Sequence, residues 1–308
     1  MKAVITGGAG FIGSRLAKVL AGDGWETIVV DDLSSGSEKA VPDKARLIRM
    51  SVTDPEFVAL LADERPEVVY HFASRVDADR STSPFAADQS TAINGTLQAL
   101  EGCRQAKFAK LVLASSAAVF GEAAHAAPDE KTPLSPATPY GLSKRTAEKY
   151  TAWHSRIHGI PYTILRFANV YGPGQQPKGE GGVVALFLDH MRAGRPLTIH
   201  GDGRQERDFV HVDDAVGACV AAANKGSGEI VHIGTGEAWS IEFIARELAA
   251  VHGRPIDIRF SDKRPADPLR SVLPPRKAAA VLGWRPAIRF PDGLRFVYAA
   301  QIGGGAGP

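Results

Sequence analysis

Short apolar runs alternate with stretches of helical periodicity through the first half of the chain. Ala3–Thr6, Thr27–Asp31, Leu47–Met50, Val68–Phe72, Lys110–Ala114 and Thr163–Phe167 read as strands. Between them Ile12–Leu20, Phe57–Leu61, Ala92–Gln105 and Tyr140–His154 carry apolar residues at helical spacing. This alternation predicts an α/β fold, a doubly wound parallel sheet with helices on both faces. After about Tyr171 the texture changes. Gly172-Pro173-Gly174 and the glycines of 179–182 bracket polar, turn-rich sequence, and Pro265, Pro268, Pro274 and Pro275 break up the last quarter. A smaller, more irregular α/β C-terminal domain is expected there. Two strand-like pieces, Asp208–Val212 and Ile230–Ile233, are expected to return to the large sheet. The division expected is therefore 1–170 with a return segment near 208–235, a second unit of 171–207 and 236–300, and a frayed tail over 301–308.

Composition narrows the classes. With 308 residues, 44% apolar and 23% charged, the chain is an ordinary globular protein, which excludes a disordered chain, a collagen-like fibre and a coiled coil. The 36 basic and 34 acidic side chains leave a formal charge of +2. No nucleic-acid or membrane partner is expected from so small a charge, so an anionic ligand must meet locally placed groups. Cys103 and Cys219 lie far apart with no CxxC or Cys/His cluster nearby, so neither a metal site nor a disulfide framework is expected, and a reducing cytoplasm is the default. Lys2–Thr6 reads as a strand rather than a secretion signal, and no apolar run reaches the 18 residues of a membrane span. The 32 glycines and 20 prolines demand many turns. Where the glycines fall is informative.

Thr6-Gly7-Gly8-Ala9-Gly10-Phe11-Ile12-Gly13 follows the first strand and opens a helix. This G-x-x-G-x-x-G spacing permits a tight turn, close approach of a pyrophosphate to backbone N–H groups, and close helix–strand packing. The helix N-terminus adds its partial positive charge. The next strand ends in Asp31, about 20 residues on, where a carboxylate grips the 2′-OH of an adenosine ribose. A carboxylate there repels a 2′-phosphate, and no Arg follows within Leu33-Ser34-Ser35, so NAD is expected rather than NADP. Glycines that merely turn the chain are the plainer reading of the triplet alone.

Tyr140 and Lys144 form Y-x-x-x-K, with Thr138 as an N-cap and Pro139 at the first helical position, so the pair shares one helical face. Upstream, Lys110–Ala114 runs into Ser115-Ser116 at the strand's C-terminal end, where ligands bind in open α/β sheets. A hydroxyl, a Tyr–Lys pair and a dinucleotide loop together point to carbinol chemistry. Bringing the Tyr from its reference value near 10 to about 7 takes about 4 kcal/mol of anion stabilisation, within reach of a neighbouring ammonium and an oxidised nicotinamide. A surface Tyr with a solvated Lys is the alternative.

These residues resemble the extended short-chain dehydrogenase/reductases, and within them the NDP-sugar epimerases of the UDP-glucose (galactose) 4-epimerase type. The matches, in order, are TGGAGFIG from Thr6, VVDDLSSG from Val29, YHFAS from Tyr70, SSAAVFG from Ser115, YGLSK from Tyr140, RFANVYGPG from Arg166, DGRQERDFVHVDD from Asp202, RPADPLRS from Arg264 and LGWRP from Leu282. The resemblance implies a Rossmann-type sheet and NAD bound by Gly7, Gly10, Phe11, Ile12, Gly13, Asp31, Asp32, Ser51, Val52, Phe72, Ala73, Ser74, Ala114, Tyr140 and Lys144. It implies that Tyr140 is the catalytic base, that Lys144 lowers its pKa, and that Ser116 meets the sugar 4-oxygen. Asn169, Arg207 and Arg264 would meet the diphosphate, Asp267 the nucleotide ribose, Val183 the segment wrapping the nucleotide, and His200 the base. Arginines suit a diphosphate through bidentate, charge-assisted contacts. A homodimer is implied through helices near Phe85–Ala106 and Tyr140–His158. Four positions depart from the pattern: Ser51 replaces an Asp near adenine, Ala92 an Asn near the nicotinamide ribose, Pro274 an Asp, and Val76 falls near a frequent Lys.

The reaction expected is epimerisation at C4 of a UDP-sugar through a 4-keto intermediate. The resemblance implies that 4,6-dehydratases need an acid–base carboxylate pair just after the catalytic hydroxyl and that UDP-glucuronate decarboxylases usually have a Glu in that turn, whereas Ala117-Ala118 cannot transfer a proton. UDP-glucose and UDP-galactose are the expected substrates. The resemblance makes Ser271 the gate for the C2 substituent, small enough to admit UDP-GlcNAc and UDP-GalNAc. UDP-glucuronate is the alternative, with Arg75 or Arg80 facing its carboxylate. Another NDP-sugar dehydratase or reductase, or a non-catalytic NAD-binding protein, are the remaining readings.

Overall fold

A computed structural model describes residues 1–74, 90–107, 109–121, 127–177, 182–263 and 268–302. Its first element, β1 (Lys2–Thr6), runs directly into the glycine turn and then α1 (Phe11–Gly22). There follow β2 (Glu26–Asp31), β3 (Arg46–Arg49), α2 (Glu56–Glu64), β4 (Val68–His71), α3 (Gly95–Gln105), β5 (Lys110–Ser116), α4 (Pro139–His158), β6 (Tyr162–Phe167) and β7 (Asn169–Tyr171). The rest comprises α5 (Val183–Arg192), β8 (Leu197–His200), β9 (Glu206–Arg207), β10 (Phe209–His211), α6 (Val212–Asn224), β11 (Glu229–Ile233) and β12 (Trp239–Ser240). It ends with α7 (Ile241–His252), β13 (Ile258–Ser261), β14 (Arg270–Ser271), α8 (Arg276–Val281) and α9 (Phe290–Gln301).

The six strands predicted in the first half and β11 form one seven-stranded parallel sheet in the order β11-β6-β5-β4-β1-β2-β3. The order reverses between β1 and β4, which opens a crevice at the carboxyl ends of those strands. Each central strand is apolar on both sides because helices cover both faces. Ile5, Val29, Tyr70 and Val112 pack with Leu16 and Leu20 of α1 and with α6 on one face. Val4, Ile28, Val69, Leu111 and Ile164 pack with α2, α3 and α4 on the other. Burying each such Leu or Ile contributes about 2 kcal/mol relative to exposure.

Ile230–Ile233 joins the large sheet beside β6, as expected. Asp208–Val212 does not. Phe209–His211 pairs instead with Asn169–Tyr171 in a separate two-stranded sheet, because β6 already has β11 as its outer neighbour. The helix expected over Ala92–Gln105 is regular only from Gly95. Ser90–Asn94 forms a wider π turn. Beyond Tyr171 a third core gathers α5, α7, α9 and β8 around Leu188, Ile199, Leu248 and Phe290.

Candidate functional site

The crevice at the switch point is a cleft of about 660 Å³. Its floor is the run of strand ends that the sequence places there: the turn after β1, Asp31 at the end of β2, Phe72–Ser74 after β4 and Ala114–Ser116 at the end of β5. Gly7 adopts a positive φ of 66°, and a Cβ on it would stand 2.8 Å from the Ala73 nitrogen. A Cβ at Gly13 would lie 2.3 Å from the Gly7 oxygen. Only glycine lets the turn, β4 and α1 approach this closely. The first turn of α1 thereby faces the cleft with Gly10 as N-cap, which has no side chain to occupy its N–H groups. Asp31 is buried at the cleft edge, its two oxygens accepting N–H bonds from Ala9 (2.9 Å) and Leu33 (2.9 Å). Each oxygen keeps a lone pair for a further donor. Asp32 accepts the Ser34 N–H at 2.8 Å. The hydroxyl of Ser51 shares a hydrogen bond with that of Thr53 at 2.8 Å.

On the opposite wall, α4 starts as the sequence predicts. Thr138 caps it by accepting the Gly141 N–H at 3.1 Å, Pro139 follows, and Gly159 closes it in the left-handed conformation. A Cβ on Gly141 would lie 2.4 Å from the Ala118 oxygen, so this glycine lets the helix start press against the turn carrying Ser116. Lys144 is 6% exposed, and its ammonium donates to the Ala114 carbonyl at 3.0 Å while lying 5.7 Å from the centre of the Tyr140 ring. Ser116 accepts the Ala118 N–H at 3.2 Å and lines the same cleft. Buried beside this wall, His71 is hydrogen-bonded to Thr6 at 2.8 Å. Burial, reinforced by the Lys144 charge, pushes its pKa down to about 3, so it is neutral.

All fifteen residues expected to hold the cofactor line this one cleft, together with Ser116 and Asn169. Asn169 donates its side-chain amide to the Asp208 carbonyl at 3.1 Å. The remaining substrate positions stand apart from the lining. Val183 is the first residue of α5, directly after Gly182, which does line the cleft. His200 is hydrogen-bonded to Ser261 at 2.8 Å, and Arg207 and Ser271 face each other in the β9–β14 ladder. Arg264 and Asp267 lie outside the described residues, as do Arg75, Val76 and Arg80. Several lining residues were not anticipated. Thr91 faces the cleft from the π turn, while its neighbour Ala92 is buried. Ser34, Ser35 and Ser37 border it near Asp31, and Gln175 enters from the turn after β7, donating to the Val170 carbonyl at 3.1 Å. A polar cluster just past a strand end was the available signal for the serines. Among the described lining residues, Asp31 and Asp32 are the only carboxylates and Lys144 the only ammonium or guanidinium.

A family model for NAD dependent epimerases and dehydratases matches residues 3–234, most of the chain and all of this cleft's strand ends. The chain belongs to the NAD dependent epimerase/dehydratase family. A UDP-glucose 4-epimerase of Mycolicibacterium smegmatis is 36% identical over 301 residues, covering 96% of each chain. Among solved structures, the UDP-glucose 4-epimerase of Thermotoga maritima, determined with UDP-glucose, superposes with a TM-score of 0.93 at 36% identity over 97% of each chain. The UDP-glucose 4-epimerase of Thermus thermophilus, in complex with NAD, gives 0.92 at 35% identity, over 99% of this chain and all of that one. The cofactor of the family fits the cleft. A backbone cradle that side chains at Gly7 and Gly13 would fill, a helix N-terminus and an acidic strand end are the features a dinucleotide pyrophosphate and ribose need.

Proposed function

We propose that the protein is an NAD-dependent UDP-sugar 4-epimerase. Its substrates are UDP-glucose and UDP-galactose, and the small Ser271 extends them to UDP-GlcNAc and UDP-GalNAc. One observation carries the choice of reaction. Ser116, Tyr140 and Lys144 meet in a single cleft whose catalytic turn, Ala117–Val119, has no ionisable side chain. Dehydration requires an acid–base pair at that turn, and the decarboxylases of this type usually carry a Glu there. Reversible removal and return of the 4-OH proton needs neither.

Gly7, Gly10, Gly13 and the first turn of α1 would hold the pyrophosphate of NAD, Asp31 its adenosine ribose and Lys144 its other ribose. When bound, NAD supplies the hydride acceptor and donor. The protein's own part is proton control. The Lys144 ammonium, anchored on the Ala114 carbonyl, stabilises a phenolate on Tyr140. Tyr140 Oη takes the proton from the sugar 4-hydroxyl, and the Ser116 hydroxyl donates a hydrogen bond to that oxygen as it becomes a carbonyl. After the sugar turns its other face, Tyr140 Oη returns the proton. Asn169, Arg207 and Arg264 would hold the nucleotide diphosphate through this turn, and Asp267 the nucleotide ribose.

The UDP-glucose 4-epimerases of Mycolicibacterium, Thermotoga and Thermus support the reading by near full-length similarity. We further propose a homodimer. An exposed stripe on α4, Leu142, Tyr150, Trp153 and Ile157, supports it. A cytoplasmic home suits two buried, unpaired cysteines; among the described residues no helix is long and apolar enough to cross a membrane. The deciding experiment is incubation with UDP-glucose, UDP-galactose, UDP-GlcNAc, UDP-GalNAc and UDP-glucuronate without added NAD, followed by product identification. Interconversion of a 4-epimer pair is expected, lowered about 10²–10⁴-fold in Tyr140→Phe. No conversion of any pair refutes the proposal.

A further inference from the structure

Strand β6 carries a charge in the interior of the sheet. Arg166 is 2% exposed, and its partner Glu148, on α4, is 4% exposed. Replacing a buried ion pair by apolar side chains is often neutral or stabilising, so stability alone does not explain this one. Its placement does. Glu148 follows Tyr140 by eight residues and Lys144 by four, which sets all three on one face of α4. Arg166 donates to both Glu148 oxygens, from Nε at 2.9 Å and Nη2 at 2.7 Å. The Ser115 hydroxyl donates to Glu148 Oε1 at 2.5 Å. Ser115 and Arg166 are direct partners in the β5–β6 ladder, so one carboxylate grips both strands at the same level. Three successive residues of β5 are thereby engaged. The Ala114 carbonyl takes Lys144, Ser115 takes Glu148, and Ser116 faces the cleft. The guanidinium is held from its other side too, 5.0 Å from the Phe120 ring and within 3.4 Å of the Glu130 carbonyl.

We infer that the Glu148–Arg166 pair, latched by Ser115, is a positioning device for the Tyr140–Lys144 base. It fixes the height of α4 against β5 and β6, and it does so at zero net charge beneath the base. This rests on the reading of Tyr140 as the proton acceptor. Few other charged groups compete. From β4, His71 is neutral near pH 7. From β11, His232 is the ladder partner of Arg166 and is likewise neutral near pH 7, and the Glu130 carboxylate accepts its backbone N–H. Lys110 lies at the far end of β5. Tyr162 lies at the far end of β6, where burial, with the Glu229 and Glu148 charges, raises its pKa, and Glu101 of α3 is paired with Arg104. The turns 90–94 and 117–119 hold no titratable side chain, and Arg145 and Lys149 sit off the shared face of α4.

The test is a pH titration of tyrosinate absorbance in the purified protein, with Tyr140→Phe as the blank that isolates Tyr140. Glu148→Gln keeps the side-chain shape and leaves the guanidinium, which cannot deprotonate, unbalanced. A charge two helical turns away, about 12 Å, shifts a titration by about one unit at an effective dielectric of about 20. Tyr140 is therefore expected to titrate about one unit lower in Glu148→Gln and to return to the wild-type position in Glu148→Gln/Arg166→Met. A wild-type titration in the single variant, or an unrestored one in the double, overturns the inference. Ser115→Ala, which keeps the ion pair, reads the latch even if the charge variants do not fold. Its epimerase kcat should fall about 10-fold at unchanged KM with Tyr140 titrating as in wild type. An unchanged kcat overturns the latch. The titration needs no turnover, so a wrong substrate assignment would leave its outcome intact.

Discussion

Ser271 is a small, buried side chain paired in register with Arg207 across the β9–β14 ladder. If the C2 substituent of the sugar lies there, volume at this position decides between hexoses and N-acetylhexosamines. Ser271→Tyr is expected to keep UDP-glucose turnover within a few-fold and to lower UDP-GlcNAc turnover about 10–100-fold, the range a steric misfit of this size produces. Paired kcat/KM measurements check it, and equal loss on both substrates would remove the gate from this residue. The proposed catalytic pair was legible from sequence because Tyr140 and Lys144 are local, four residues apart on a capped helix. Glu148 was not, although it shares their face, because its meaning depends on Arg166 from another strand. Gly141 was equally silent, since the Ala118 carbonyl it admits comes from a turn more than twenty residues earlier.

α4 serves two surfaces at once. One face presents Tyr140, Lys144 and Glu148 to the sheet, while Leu142, Tyr150, Trp153 and Ile157 stand 39–53% exposed on another side. Aromatic and aliphatic side chains in such a stripe are what a self-associating helix offers. Trp153→Glu places a charge at its middle and is expected to shift the protein from dimer to monomer in light scattering at micromolar concentration. A variant of unchanged mass would move the interface elsewhere. At this scale the apolar runs marked every strand of the large sheet but one partner choice wrongly. Phe209–His211 reads as a strand from its composition, yet which edge it joins depends on β11 having taken the place beside β6, a competition no local pattern contains. The π turn at Ser90–Asn94 escaped for a similar reason: helical periodicity over Ala92–Gln105 does not distinguish one wide turn from a regular one.

Across the whole molecule, histidines buried in the neutral form set how stability responds to acid. Burial pushes both His71 and His232 down to about 3 and lowers His154 and His211 as well. In the unfolded chain each returns to about 6.5. The unfolded state therefore binds more protons below that value, so stability is fully present above about pH 6.5 and is lost as pH falls toward 3. Carboxylates add to the loss only later. Glu101, held down to about 2 mainly by its hydrogen bond to Arg104, contributes above about pH 4.5 and loses that contribution as pH drops further. Between pH 6.5 and 4.5 each histidine held fully neutral contributes about 1.4 kcal/mol per pH unit to the slope, opposed by Asp208, whose pKa burial raises. His232 offers a clean subtraction. Both its ring nitrogens are buried and find no hydrogen-bond partner among the described residues, and its ring meets Phe120 edge-on at 5.4 Å. His232→Phe replaces two unsatisfied polar atoms with an aromatic edge, so its stability at pH 7.5 should match or exceed wild type. Urea unfolding from pH 7.5 to 5 should then show the variant's slope shallower by close to one proton. An equally steep slope in both proteins would mean that His232 does not carry this share of the acid sensitivity.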